Sequence, residues 1–315
     1  MKRCICILLC LALFLCTGCG KKAEEAKESS TFMAMDTVME LTAWGENAQA
    51  GLQQVQSLLQ DMQKTWSVHE NQSLLSKINR GVRVELTVEQ TDLLNRIEDL
   101  QAYTNGAFDP KLGMVSSLWG FTDEVHEIPD EQDIGQALQA GQWDLGGALK
   151  GYASQQAVAL LKDLHIDRAL PNLGGNIQTF GEKADGSPWI IGIQNPDGGD
   201  PIGTVSVTGT KSIVTSGDYQ RYFELEGVRY HHIIDPTTGY PADSGLRSVT
   251  VICEDGLTAD VLSTALFVMG LEEATAFWQE KGGFEAVFIT TEGEIYATAG
   301  AKLSGCQFEV ISHEN

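Results

Sequence analysis

Cysteine is almost missing from the body of this 315-residue chain: of 7 cysteines, only Cys253 and Cys306 lie beyond Cys19. Two thiols cannot build a disulfide framework or a zinc cluster. Export would permit one Cys253–Cys306 bridge, but Cys253 sits in the apolar run 248–253, which fits a buried free thiol better. Histidine is scarce, at 6 residues, so a histidine-built metal site is not expected. Basic residues are outnumbered 21 to 43, for a formal charge of −22. A surface of that sign repels nucleic acid and anionic lipid headgroups. Nucleic acid is therefore excluded as a partner, and a polyphosphate ligand would need backbone amides, a few selected cations or a metal ion. Proline is limited to 8 residues while 43% are apolar, which is the composition of a folded globular chain.

A long uncharged apolar run occurs at the amino terminus. Lys2 and Arg3 precede the run Ile5 to Cys16, and Thr17-Gly18-Cys19 then leads into Gly20-Lys21-Lys22. This is secretory signal architecture over residues 1–18, too short for a comfortable membrane span. The small residues before Cys19 resemble a bacterial lipoprotein processing site, with Cys16 in place of the usual small or aliphatic residue three positions earlier. That resemblance implies a lipid (palmitate) on Cys19 and attachment to the extracytoplasmic face of the cell membrane. Residues 19–30 are expected to form a tether, and residues 31–312 one undivided domain.

Within that domain, Thr37 to Trp44 alternates as a strand does, and Ala48, Leu52, Val55, Leu59 and Met62 recur at helical spacing. Thr87 and Gln90 form a capping-box pair ahead of Leu93, Leu94, Ile97 and Leu100. A further helix is expected after the glycine-rich turn 144–151. Short strands follow near 188–193, 203–207, 211–215, 229–234 and 246–252, then helices over 257–269 and 271–281. A hairpin over 285–290 and 294–298 turns at Glu292-Gly293. Helices early and late with consecutive strands between them predict an α+β fold.

Polar residues interrupt these elements at four places. In Asp144-Leu-Gly-Gly-Ala-Leu-Lys-Gly-Tyr152, Gly146 and Gly147 open a helix beside Lys150. Such glycines admit a phosphate to helix-start amides, and an ordinary tight turn accounts for them equally. The segment is neither GxGxxG nor a P-loop. A second Gly-Gly turn, Gly174-Gly175, follows a strand, so the two turns could grip the ends of a dinucleotide. His231, His232 and Asp235 lie in a strand and the turn after it, with Asp235-Pro236 starting that turn. Asp260 and Thr264 are four apart in an apolar helix, hence on one face. A carboxylate and a hydroxyl so placed suit an oxygen-seeking ion such as Mg²⁺, while a helix-dipole charge and a hydroxyl bonded within its own helix are the plainer alternative.

Taken in order, Phe32-Met-Ala-Met-Asp-Thr37, Gly106-Ala-Phe-Asp-Pro110, Leu118-Trp-Gly-Phe121, Asp144 to Tyr152, Asn172-Leu-Gly-Gly-Asn176, Thr215-Ser-Gly-Asp-Tyr219, His232-Ile-Ile-Asp-Pro-Thr-Thr-Gly239 and Ala259-Asp-Val-Leu-Ser-Thr264 resemble the ApbE family of flavin transferases. The resemblance implies mixed and antiparallel sheets with packed helices, and FAD in a cleft between two fused lobes. It also implies Mg²⁺-dependent transfer of FMN from FAD to a Thr or Ser hydroxyl of an exported or membrane-bound acceptor, with AMP leaving. The acceptor pattern is Asp-x-x-Ser/Thr-Gly-Ala-Ser/Thr. Asp260, Thr264 and the Leu149 carbonyl would hold the metal. Met35, Asp36, Asp109, Gly146, Gly147, Lys150, Gly174, Gly175, Thr215, Ser216, Gly217, Asp218, His232 and Asp235 would line the flavin nucleotide site. His232 and Asp260 are the candidate bases, with an ordinary histidine pKa near 6.5 well suited to the task. Asn176 and Ala148-Leu149 depart from the family's usual Asp and Ile-Ala. Two other readings use the same residues: a Mg²⁺-dependent FAD pyrophosphatase and a non-enzymatic flavin-binding lipoprotein. Asp235 to Gly239 begins the acceptor pattern but continues Tyr240-Pro241, so the chain is not an evident acceptor for itself.

Overall fold

The computed structural model describes residues 26–312, so the signal segment and Cys19 lie outside the described residues. A nine-stranded sheet forms the centre. Its first four strands are β1 (Lys27–Ala34), β2 (Thr37–Trp44), β3 (Arg168–Leu173) and β4 (Asn176–Thr179). The order continues through β7 (Lys211–Gly217), β10 (Leu246–Cys253), β11 (Glu285–Thr290), β12 (Ile295–Thr298) and β14 (Glu309–Ile311). Every neighbouring pair is antiparallel except β12 with β14, which makes the sheet mixed.

Alternation along the strands sends side chains to two different cores. One face carries Met39, Leu41, Ala43, Val214, Val249, Val251 and Phe288 against helices α1 (Ala48–Trp66), α6 (Leu149–Asp163) and α7 (Gly256–Lys281). The other carries Ile213, Ile252, Val287 and Ile289 against a three-stranded sheet of β5 (Trp189–Ile193), β6 (Gly203–Val207) and β13 (Leu303–Ser304). Helix α2 (Leu74–Asn79) packs on α1, and α3 (Val88–Tyr103) begins with the Thr87/Gln90 capping box in place. A smaller lobe has its own cluster. There α4 (Gly113–Trp119) and α5 (Glu131–Ala140) pack with the hairpin β8 (Tyr222–Leu225) and β9 (Val228–His231) around Trp119, Ile134 and Phe223.

Several boundaries differ from the sequence expectation. Lys27 to Ser30 are not tether but the start of β1, paired residue for residue with Leu41 to Trp44. This polar segment is held by backbone hydrogen bonds at a sheet edge, where no apolar pattern is required. Helix α1 runs on to Trp66. The strand expected over 229–234 ends at His231, because Ile233 and Ile234 leave the hairpin to pair with Ala242 and Pro241. The two late helices are divided at Gly270, as expected, where a φ of 76° lies outside the helical range. By length and composition α7 could pass for a membrane span, yet it is the central core helix, with Leu257, Val261, Leu262, Leu266 and Phe267 buried. Cys253 and Cys306 are both free thiols.

Helices α6 and α7 touch at two glycines. A Cβ on Gly151 would strike the Gly256 carbonyl and come within 2.7 Å of the Asp260 Cβ. Gly151→Ala should therefore lower stability by about 1–3 kcal/mol through overpacking. Urea unfolding reads this directly, and a wild-type midpoint would mean that the helices do not cross there.

Candidate active site

Strand register gathers the singled-out segments at one end of the nine-stranded sheet. Met39 pairs with Leu173, and Asn176 with Val214. The β1–β2 turn (Met35, Asp36), the β3–β4 turn (Gly174, Gly175) and the last residues of β7 thus lie side by side. Both turns are two-residue hairpins with positive φ at each position: 49° and 57° for Met35 and Asp36, 64° and 92° for Gly174 and Gly175. That geometry matches the twist of the flanking strands. Met35 and Asp36 adopt it without being glycine, and the Met35 N–H donates to Gln63 Oε1 at 2.7 Å, which holds the turn on α1.

The α6–α7 crossing brings Asp260 to the same end. Its side chain is buried, with Oδ2 accepting from the Gly151 N–H at 2.8 Å and Oδ1 from Asn176 Nδ2 at 3.0 Å. Asp260 thus caps an orphan donor in the first turn of α6, whose own N-cap, Ala148, makes no side-chain hydrogen bond. No Lys or Arg pairs with Asp260 among the described residues. One turn on, Thr264 Oγ1 lies 3.3 Å from Ser216 Oγ, which also meets Ser263 Oγ at 2.8 Å. A Cβ on Gly147 would lie 3.2 Å from Thr264 Oγ1 and from the Phe108 ring, so any larger residue would press on both neighbours. Loop 106–112 is clamped against the same turn by Asp144 N–H donating to the Pro110 carbonyl at 2.8 Å. Within that loop, Asp109 accepts from the Lys111 N–H. Lys150 Nζ donates to the Gly146 carbonyl at 3.0 Å.

A Cβ on Gly174 would run into the Thr37 side chain, so hairpin packing by itself requires glycine there, whereas a Cβ on Gly175 would meet only Gln220 Nε2 at 3.8 Å. Asp218 is buried and bonded to Arg247 Nε at 2.8 Å, and Asp235 Oδ1 accepts from Thr237 N and Oγ1 at 2.8 and 2.7 Å. Both carboxylates hold their own loops. Thr215 Oγ1 lies 2.8 Å from Thr250 Oγ1.

His232 joins the smaller lobe to this cluster. Its backbone N–H and its Nδ1 both meet the Arg221 carbonyl, at 3.0 and 3.2 Å. A carbonyl only accepts, so Nδ1 carries the proton and Nε2 keeps its lone pair, without a partner among the described residues. Arg221 Nη2 in turn reaches the Asp36 carbonyl at 3.5 Å. Burial, with the charges of Arg221 and Lys150 next in weight, pushes the His232 pKa down to about 3. The ordinary value near 6.5 expected from sequence is therefore corrected. Burial lowers His231 too, where Nε2 sits on the Ala242 carbonyl at 3.1 Å.

Both histidines stay neutral in the folded chain over a range where the unfolded chain takes up protons. Their contribution to stability should be constant above about pH 6.5 and be lost as pH drops from 6.5 toward 3. Thermal unfolding across that range should show a shallower slope in His232→Gln. Equal slopes in the two proteins would contradict the depressed pKa.

The ApbE family model matches residues 35–288. The chain belongs to the ApbE family. The FAD:protein FMN transferase of Treponema pallidum (strain Nichols) is 33% identical over 339 residues, covering 93% of this chain and 92% of that protein. That of Escherichia coli (strain K12) is 30% identical over 332 residues, covering 92% and 93%. Among solved structures, the ApbE protein of Thermotoga maritima superposes with a TM-score of 0.80 at 31% identity, covering 86% of this chain and 96% of that one. The flavin transferase ApbE of Vibrio cholerae gives 0.76 at 26% identity, covering 89% and 99%. These likenesses match the α+β architecture of mixed and antiparallel sheets with packed helices.

In this ApbE-family chain, sequence reasoning passed over Arg221, Gln63, Ser263 and Gly151. Each acts through a partner distant in sequence, and periodicity carries no signal for such contacts. Only Arg221 had a usable cue, lying two residues past Thr215-Ser-Gly-Asp-Tyr219.

Proposed function

We propose that this protein transfers FMN from FAD to a Thr or Ser hydroxyl of an acceptor protein as a phosphodiester, releasing AMP. The observation that carries the reading is the joint at His232: an imidazole held through Nδ1 on the Arg221 carbonyl, with its Nε2 lone pair available and within the influence of the Arg221 and Lys150 charges. The acceptor hydroxyl gives its proton to Nε2 while its oxygen forms a bond to the FMN phosphorus. The bond from that phosphorus to the bridging oxygen breaks, and AMP departs with the electron pair. Lys150 and Arg221 face the phosphates in an otherwise acidic protein, and the amides of the Gly146–Gly147 turn add donors. Asp260, whose two oxygens already accept hydrogen bonds, is the poorer base and the better metal ligand.

The residues present fit a divalent cation. Asp260 is a buried carboxylate with hydrogen bonds but no positive charge against it, the situation a bound cation resolves. Asp260, Thr264 and the Leu149 carbonyl would hold Mg²⁺, which supplies electrostatic stabilisation of charge developing on phosphoryl oxygens. All three are oxygen donors, as Mg²⁺ requires. Incubating the protein with FAD, Mg²⁺ and a domain bearing Asp-x-x-Thr-Gly-Ala-Thr should give an in-gel fluorescent acceptor. A dark acceptor band would overturn the reading.

Cys19 gives the proposed location. Acylation there would tether the domain to the extracytoplasmic face of the cell membrane, within reach of exported acceptors. Mass spectrometry of detergent-extracted protein should find an acylated amino-terminal cysteine. An unmodified chain starting elsewhere would refute the anchor.

A further inference from the structure

We propose that Asn176 is a positioning residue for the metal site: its amide N–H fixes the Asp260 carboxylate, and its amide oxygen accepts from the hydration shell of the bound cation. The inference rests on the Mg²⁺ assignment above and adds a residue to it. Asn176 is 2% exposed and begins β4 directly after the Gly174–Gly175 turn. Its Nδ2 donates to Asp260 Oδ1 at 3.0 Å, whereas its Oδ1 is buried with no hydrogen-bond partner among the described residues.

The amide cannot turn over to relieve this. Reversed, Oδ1 would face a carboxylate oxygen across 3.0 Å, acceptor against acceptor. Its orientation is therefore dictated by Asp260. Two neighbouring groups, one a carboxylate without a cation and the other an amide oxygen without a donor, ask for the same thing. A hydrated Mg²⁺ meets both needs, because it binds carboxylate directly and keeps water ligands whose O–H groups donate outward. Neighbours that hydrogen-bond metal ligands orient them and tune affinity.

The test is Mg²⁺ alone, titrated calorimetrically into the mature chain, together with thermal unfolding in MgCl₂ and in EDTA. Asn176→Ala should weaken Mg²⁺ binding roughly 10–100-fold and leave FAD affinity in EDTA unchanged. Asn176→Asp places a second carboxylate against Asp260, so it should unfold earlier than wild type in EDTA and gain more from Mg²⁺ than wild type does. A merely structural asparagine would lower unfolding temperatures equally in both buffers. If Asn176→Ala binds Mg²⁺ as wild type does while Asp260→Asn has lost it, this inference fails and the metal assignment stands. Lost FAD affinity with intact Mg²⁺ affinity would assign Oδ1 to the nucleotide instead and also overturn it. A wild-type protein that binds no Mg²⁺ and transfers flavin in EDTA would remove both. Should Asn176→Ala fail to fold, Asn176→Asp decides alone: a Mg²⁺ gain no larger than that of wild type contradicts the proposal.

Discussion

Asp260→Asn should lower FMN transfer by on the order of 10²–10³-fold, the usual loss when one electrostatic contributor to a transition state is removed. The fold should survive, for a reason visible in the hydrogen bonds. Asp260 accepts from two donors, the Gly151 N–H and Asn176 Nδ2. An asparagine there can accept from Gly151 through its oxygen and donate through its amide, provided Asn176 turns over to present Oδ1. The buried pair remains satisfied while the negative charge disappears. The loss should fall on kcat more than on KM for FAD, if the charge acts mainly in the transition state. Thr264→Val is the milder lesion, since a water can replace a neutral hydroxyl ligand. Steady-state kinetics with a circular-dichroism check of folding measures both variants. A folded Asp260→Asn protein with full activity would defeat the metal assignment.

His232→Ala should cost 10²–10⁴-fold in transfer, the range for a lost general base. The wild-type pH profile adds a sharper expectation. With a free-enzyme pKa of about 3, the imidazole is already unprotonated above pH 5. kcat/KM should therefore show no acid limb near 6.5. In the proposed site FAD would bring two phosphate charges close to Lys150 and Arg221 and offset their effect on His232, so the acid limb in kcat should lie higher than the one in kcat/KM. An acid limb at 6.5 in kcat/KM that vanishes in His232→Ala would show that the free site is more open to solvent than its burial implies. Unchanged turnover in His232→Ala would remove the base assignment.

The parts of this site that rest on local pattern were legible in the sequence. The capping box at Thr87, strand β2, the break between the two late helices and the shared face of Asp260 and Thr264 all follow from spacing within one element. What could not be read were the contacts between elements. Spacing put Asp260 on one face with Thr264 but could not show that Gly151 and Asn176 occupy one lone pair on each of its oxygens. At Gly174 the Thr37 side chain of the neighbouring hairpin sits where a Cβ would be, a demand for glycine that no local pattern encodes. The shifted His232 pKa depends on burial and on Arg221 and Lys150, and no single segment encodes that environment. Strand β1 escaped notice because its burial alternates in the structure while Lys27 to Thr31 are all polar, so the sequence carries no apolar–polar alternation there.

The most direct test counts two products in one reaction. Purified protein with FAD and Mg²⁺ is run with and without an acceptor domain bearing Asp-x-x-Thr-Gly-Ala-Thr, and AMP is quantified against FMN-adduct mass on the acceptor. Transfer predicts one AMP for each adduct and little AMP when acceptor is omitted. Rapid AMP release that ignores the acceptor, with no adduct formed, would contradict it and make the protein an FAD pyrophosphatase.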